Sequence, residues 1–163
     1  MKIFVTVGFD RHPIDRLVRA IDKGVEDHTI PGETFIQTGY SQYFPRFCES
    51  RNFLEFDEII KFVERSEIIV SHAGVGTTLL CLSLGKIPIL FPRQSKFAEH
   101  VDNHQVDFAK KMEEQGKALV AYDEKDLIFK ISHYKSLVCS LSIGPVYNED
   151  NRLRMHLKRL LSI

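Results

Sequence analysis

The sequence has no tryptophan, only three cysteines among 163 residues, and no excess charge of either sign. Each shortage narrows what the chain can be. Lys plus Arg and Asp plus Glu number 22 each, so there is no broad positive field to grip nucleic acid, and none is expected as a partner. Cys48, Cys81 and Cys139 lie far apart and form no Cys-x-x-Cys pair. That pattern argues against a disulfide framework and a thiolate metal site, and fits buried thiols in a reducing compartment. No stretch approaches the ~20 apolar residues of a membrane-spanning helix. After Met1 the run Lys2-Ile3-Phe4-Val5-Thr6-Val7 is too short for the apolar region of a signal peptide, and no cleavage site follows it. The expected location is cytoplasmic, at a membrane only through a partner.

The composition is that of an ordinary soluble globular protein, with 44% apolar and 27% charged residues. A chain of this length suits one domain, which can bury roughly two-thirds of its unfolded surface. Short β-rich runs alternate with helical patterns. Ile3 to Val7, Glu33 to Gln37, Phe53 to Phe56, Glu67 to Val70, Ile87 to Phe91 and Lys117 to Ala121 read as strands. Between them, Pro13 to Val25 carries Ile14, Leu17, Val18 and Ile21 on one helical face, and Tyr40 to Arg51 reads as a loop. Asp57 is expected to cap a helix bearing Ile59, Ile60 and Val63. A helix after Val70 runs to Leu84 and stops at Gly85; another spans Asn103 to Gln115; Asp123 caps a last one, Glu124 to Tyr134.

This alternation predicts an α/β fold, a Rossmann-like, mostly parallel sheet with helices on both faces, as a single domain over 1–163. Ligands then bind beyond the carboxyl ends of the strands. Tyr147 to Ile163 adds a basic amphipathic helix, with Leu153, Leu157, Leu160 and Leu161 on one face, suited to its own domain, a partner or an anionic membrane.

The sharpest chemical feature is Ser71-His72-Ala73-Gly74-Val75-Gly76-Thr77-Thr78, where a strand turns through two glycines into a helix. Free N–H groups in the first helical turn, aided by the helix dipole, suit an anion such as diphosphate. Thr77 and Thr78 can add hydroxyl donors. The same turn would also serve packing alone. A dinucleotide fingerprint wants a third glycine where Leu79 stands, and a P-loop needs Gly-Lys-Ser/Thr, which Gly85-Lys86-Ile87 does not supply.

The loop after the fifth strand, Pro92 to Gln105, gathers Arg93, Gln94, Lys96, Glu99, His100, Asp102, Asn103, His104 and Gln105, many donors and acceptors of the kind sugar hydroxyls need. Its plainer reading is a solvated loop with Asp102 or Asn103 capping the next helix. His100 and His104 have the spacing of a helical metal pair, but without the His-Glu-x-x-His pattern no metal is expected. Gly8 to Pro13 follows the first strand onto the same rim, where His12 reads as a surface histidine.

Taken together, Val-Ser-His-Ala-Gly-x-Gly-Thr (70–77), Leu-Gly-Lys-x-Pro (84–88), Phe-Pro-Arg (91–93) and Glu-His-x-Asp-Asn-His-Gln (99–105) resemble the carboxyl-terminal domain of family 28 glycosyltransferases. The likeness covers roughly positions 1 to 135. It extends to the small subunits of split enzymes, the PssE-type exopolysaccharide transferases and the eukaryotic subunit that adds the second N-acetylglucosamine to a dolichol-linked sugar. The resemblance implies half of a GT-B architecture. In such pairs the small subunit holds a UDP-sugar as donor substrate, with no cofactor. A membrane-associated large subunit binds the lipid-linked saccharide acceptor. Isolated, the small subunit can self-associate. Gly8, Ser71, His72, Gly74, Gly76, Thr77, Thr78 and Arg93 would face the diphosphate. Phe53, Leu54 and Phe56 would edge the uracil, and Glu99, His100, Asp102, His104 and Gln105 the sugar, chiefly His104 and Gln105. His72 is the one candidate base in this chain. Relatives often carry a ribose-binding glutamate where Leu80 stands here. The sequence has no Asp-x-Asp, consistent with metal-independent, inverting transfer. Two other classes remain open, a non-catalytic nucleotide-binding or regulatory subunit and an unrelated flavodoxin-like interaction domain.

Overall fold

The computed structural model describes residues 1–141, so the helix expected over 147–163 lies outside the described residues. The strands are β1 (Lys2–Thr6), β2 (Glu33–Gln37), β3 (Glu49–Arg51), β4 (Ile68–Ser71), β5 (Ile89–Leu90) and β6 (Leu119–Val120). The helices are α1 (Asp15–Glu26), α2 (Phe56–Arg65), α3 (Val75–Ser83), α4 (His104–Glu114), α5 (Glu124–Ser132) and α6 (Tyr134–Ser140). All strand pairs are parallel, in the order β3-β2-β1-β4-β5-β6. The chain reverses its direction of travel across the sheet between β1 and β4, and there the turns after the two strands splay apart. That is the switch point where α/β sheets hold ligands.

The period-two alternation of the central strands builds two cores. Ile3, Val5, Ile68 and Val70 face a layer made by Leu17, Val18 and Ile21 of α1 with Leu127 and Ile131 of α5. Phe4 and Ile69 face the other side, against Ile59 and Val63 of α2 and Leu80 and Cys81 of α3. Leu80, the position where the resemblance led one to look for a carboxylate, is a core residue, 8% exposed. Among the described residues no helix is long and apolar enough to cross a membrane.

Three local expectations change. The third strand is Glu49–Arg51, at the end of the supposed loop, while Phe53 to Phe56 is not a strand. An edge strand needs backbone partners on one side only, and the polar Glu-Ser-Arg run supplies them; the aromatic run that suggested a strand instead carries exposed rings. The cap of α2 is Glu55, with Glu58 reaching back to its N–H at 3.0 Å, not Asp57. The helix expected to end at Tyr134 breaks at His133, and α6 begins there. Asp123 caps α5 as read, accepting the Asp126 N–H at 2.9 Å.

Two buried or edge features organise the periphery. Asp22, fully buried on α1, accepts N–H groups of Arg46, Phe47 and Cys48 and the Tyr43 hydroxyl, and so pins the loop that leads to β3. At the far edge, the outward groups of Val120 are met by side chains: its N–H by Glu113 at 3.3 Å, its carbonyl by Lys130 at 2.5 Å.

Candidate functional site

Two glycine turns and one imidazole define the switch point. Gly8, after β1, has φ +73°, and a Cβ there would sit 2.4 Å from His72 Cε1. A Cβ on Gly74 would sit 2.4 Å from His72 Nε2. The ring fills the slot between the two turns, so both positions exclude side chains for packing reasons alone. His72 Nδ1 lies 3.4 Å from the Thr6 carbonyl. Burial, and then the nearby Arg93 charge, push the His72 pKa down to about 4. The ring is neutral at physiological pH and 7% exposed, a wedge between turns and poorly placed to take a proton from an acceptor.

Ala73 follows with φ +65°, a conformation that costs an L-residue roughly 1–2 kcal/mol. It swings the chain outward so that α3 begins with its amino end open. Among the described residues, no protein acceptor meets the N–H groups of Val75, Gly76 and Thr77, and Gly74 offers no side chain to cap them. Gly76 is exposed, with nothing within 4 Å of where a Cβ would be. Unlike Gly8 and Gly74, it is not required by the protein's own packing. Thr77 is half-exposed beside these amides. Thr78 is not available as a donor: it is buried, and its hydroxyl is engaged by the Gly74 carbonyl at 2.9 Å. Ser71 is also fully buried, its hydroxyl inside the sheet rather than on the rim and without a partner among the described residues.

Beneath the turns lies Arg93, 0% exposed. One terminal nitrogen donates to the Val7 carbonyl at 2.8 Å, but among the described residues Nε and the other terminal nitrogen have no partner. A buried guanidinium left so incompletely paired is costly, and sets a positive potential behind the rim.

The loop after β5 is held by residues that were expected to touch a sugar. Glu99 is 4% exposed; its oxygens accept Arg16 Nε at 3.0 Å, Arg16 Nη2 at 2.9 Å and the Gln94 N–H at 3.0 Å. It therefore fixes the loop, while Arg16 stacks on Phe91 and Phe97. Gln105, 7% exposed, accepts the Arg93 N–H at 3.3 Å. Asn103 occupies the cap position of α4 but turns its side chain to the Ser95 N–H and hydroxyl. Asp102 meets the His104 N–H and ring, and the His104 ring is exposed. His100 turns toward the β1 loop, against His12 and Asp10. His12 is thus no isolated surface histidine: its Nδ1 lies 2.7 Å from Asp10 Oδ1.

Of the expected uracil edge, Leu54 is core, whereas Phe53 and Phe56 are exposed. Phe53 stacks on Phe9 and meets Tyr40 edge-on, centroids 5.9 and 5.1 Å apart. The sequence placed Phe9 and Asp10 on the rim without a role of their own, and gave no site role to Tyr40 or Arg16. Large exposed aromatics directly after the turn glycines Gly8 and Gly39 were the available signal; Arg16 gave none, since its partner lies 83 residues away.

The UDP-N-acetylglucosamine transferase subunit ALG13 of Yarrowia lipolytica is 29% identical over 73 residues, covering 45% of this chain and 35% of that protein. The UDP-GlcNAc 2-epimerase of Neisseria meningitidis, solved with UDP-GlcNAc, superposes with a TM-score of 0.62 at 13% identity, over 99% of this chain and 45% of its own. The glycosyltransferase of kitacinnamycin gives 0.56 at 18% identity, over 99% and 40%. At such identities the structures share the fold, and the chain spans less than half the length of each relative. Residues 2–136 match the glycosyltransferase family 28 C-terminal domain, and the chain belongs to that family.

Proposed function

We propose that the chain is the donor-binding subunit of an inverting glycosyltransferase. It would hold a UDP-sugar while a membrane-associated subunit presents a lipid-linked acceptor in polysaccharide or glycolipid synthesis. The observation that carries this reading is the set of three unpartnered N–H groups opening α3 at the switch point, over the buried Arg93 guanidinium. The family match, and a relative described as a subunit of a UDP-N-acetylglucosamine transferase, support it.

In the reaction the acceptor hydroxyl oxygen attacks the anomeric carbon, the bond from that carbon to the diphosphate breaks, and UDP departs. Charge then builds on the diphosphate. Amides at a helix amino end stabilise it without reorganising, with Thr77 and the Arg93 field in support. Glu99 and Arg16, with Gln105 on the Arg93 N–H, hold the β5–α4 loop so that the exposed His104 orients the sugar. Phe53, with Phe9 and Tyr40, offers a stacking surface for the base. Because His72 is sealed and weakly basic, the proton goes to a base on the acceptor-binding subunit. Metal is not needed on the diphosphate where amides and a guanidinium serve.

Calorimetric titration of the full chain with UDP tests the reading. Saturable binding is expected, at least tenfold weaker in Arg93→Met. A chain that melts normally yet shows no saturable UDP binding would overturn it.

A further inference from the structure

We propose that Asp10, His12 and His100 form a binding site for a borderline transition-metal ion such as Zn2+, with water completing the coordination. The residues come from two loops, one after β1 and one after β5, that the fold brings to the same rim. Their ligand atoms all lie within 4.8 Å of one another. Asp10 Oδ1 is 2.7 Å from His12 Nδ1, and Asp10 Oδ2 is 3.6 Å from His100 Nε2. Ligands on a tetrahedral zinc with ~2.0–2.1 Å bonds stand roughly 3.3 Å apart, a spacing these distances bracket. Two imidazoles and a carboxylate suit a borderline ion better than a hard one, which would want oxygens throughout.

The surroundings are those of a supported ligand set. With Nε2 on the metal, the proton of His100 sits on Nδ1, which faces Asp102 Oδ1 at 3.2 Å. That is the carboxylate–histidine–metal arrangement that orients a ligand ring and raises its basicity. In the other tautomer the same nitrogen would accept the Asp102 N–H at 3.3 Å. The His100 side chain is 13% exposed, while Asp10 and His12 are 31% and 42% exposed, so the ring is held and an open side remains for water.

A second trio, His100, Asp102 and His104, shares His100. It lies within five consecutive residues, and Asp102 and His104 are more than half exposed. The first trio is better walled, and its metal would tie the β1 loop to the β5 loop beside Gly8. The Arg93 guanidinium stands close enough to act on the Asp10 carboxylate, and its charge weakens a cation's hold there. The site stands apart from the nucleotide-sugar reading and does not depend on it.

The test uses the full chain, stripped with chelator and titrated with Co2+ followed by visible absorption, then with Zn2+ by calorimetry. One equivalent of Co2+ should develop a ligand-field spectrum that Zn2+ abolishes. Affinity should fall at least tenfold in His12→Ala, in His100→Ala and in Asp10→Asn. It should stay within twofold in His104→Ala and in His28→Asn, a histidine beyond the other end of α1. Thermal melts of each variant show that loss of binding is not loss of fold. Absence of a saturable spectrum in the wild-type chain overturns the proposal. So does binding that survives His12→Ala but fails in His104→Ala, or that no substitution alters.

Discussion

Gly76 separates the needs of the fold from those of the ligand. At Gly8 and Gly74 a side chain would strike the His72 ring, so any loss of binding on substitution would be confounded with loss of structure. Gly76 has open space where a Cβ would go and lies in the first turn of α3. Gly76→Ala should therefore stabilise the chain by about 1 kcal/mol through helix propensity, raising the melting temperature by roughly 2–4 °C. Gly76→Asp should be neutral or stabilising too, since a carboxylate beside a helix amino end gains about 0.3–1 kcal/mol. For an anion seated on the same amides the sign reverses. Two like charges about 5 Å apart at an effective dielectric constant near 20 repel by about 3 kcal/mol, roughly a hundredfold in affinity. The assay is a pair of measurements on each variant, a thermal melt and a UDP titration. Melting unchanged or raised with UDP binding lost is the expected signature for Gly76→Asp. Wild-type UDP affinity in Gly76→Asp would refute the socket at these amides, whatever the chain binds elsewhere.

Asp22→Asn should cost about 2–3 kcal/mol in urea unfolding, because it weakens several hydrogen bonds to a buried carboxylate at once. Burial raises the Asp22 pKa, but the Arg46 and Phe47 N–H groups and the Tyr43 hydroxyl more than offset it, leaving it below 3.8. That stability is complete above the ordinary carboxylate range and fades as pH falls through the folded value, so acid sensitivity there should diminish in the variant. His72 acts in a higher window. Its pKa drops from 6.5 to about 4 on folding, so the unfolded chain binds the extra proton, and about 3 kcal/mol of stability should drain away as pH falls across that interval. Ring-proton NMR should show His72 unprotonated down to pH 5, and a midpoint near 6.5 would contradict the wedge.

What could be read in advance follows from the range of the interaction. β1, β4 and α1 were legible because one buried face repeats with a fixed period, and the turn at 71–78 because two glycines interrupt a strand-to-helix junction. β3 was not, since an edge strand of Glu-Ser-Arg is defined by backbone pairing with β2 and carries no apolar signal. Ser71 and Thr78, expected to face the diphosphate, are buried, because the strand end and the inner face of α3 point into the protein. Glu99 was expected to contact the sugar; that its carboxylate belongs to Arg16 depends on a meeting of distant segments. Asp22 gave no warning for the same reason.

The two flanks of the sheet bear on how another chain can join this one. On one side stands a three-residue strand of charged and polar residues; on the other, Glu113 and Lys130 cover the outward N–H and carbonyl of Val120. Neither border invites a neighbouring molecule to continue the ladder. From the described residues, another chain would join through side chains, on helical flanks or across the loop-bearing rim. A companion subunit would meet this protein as a lid meets a bowl, not as one plank laid against another.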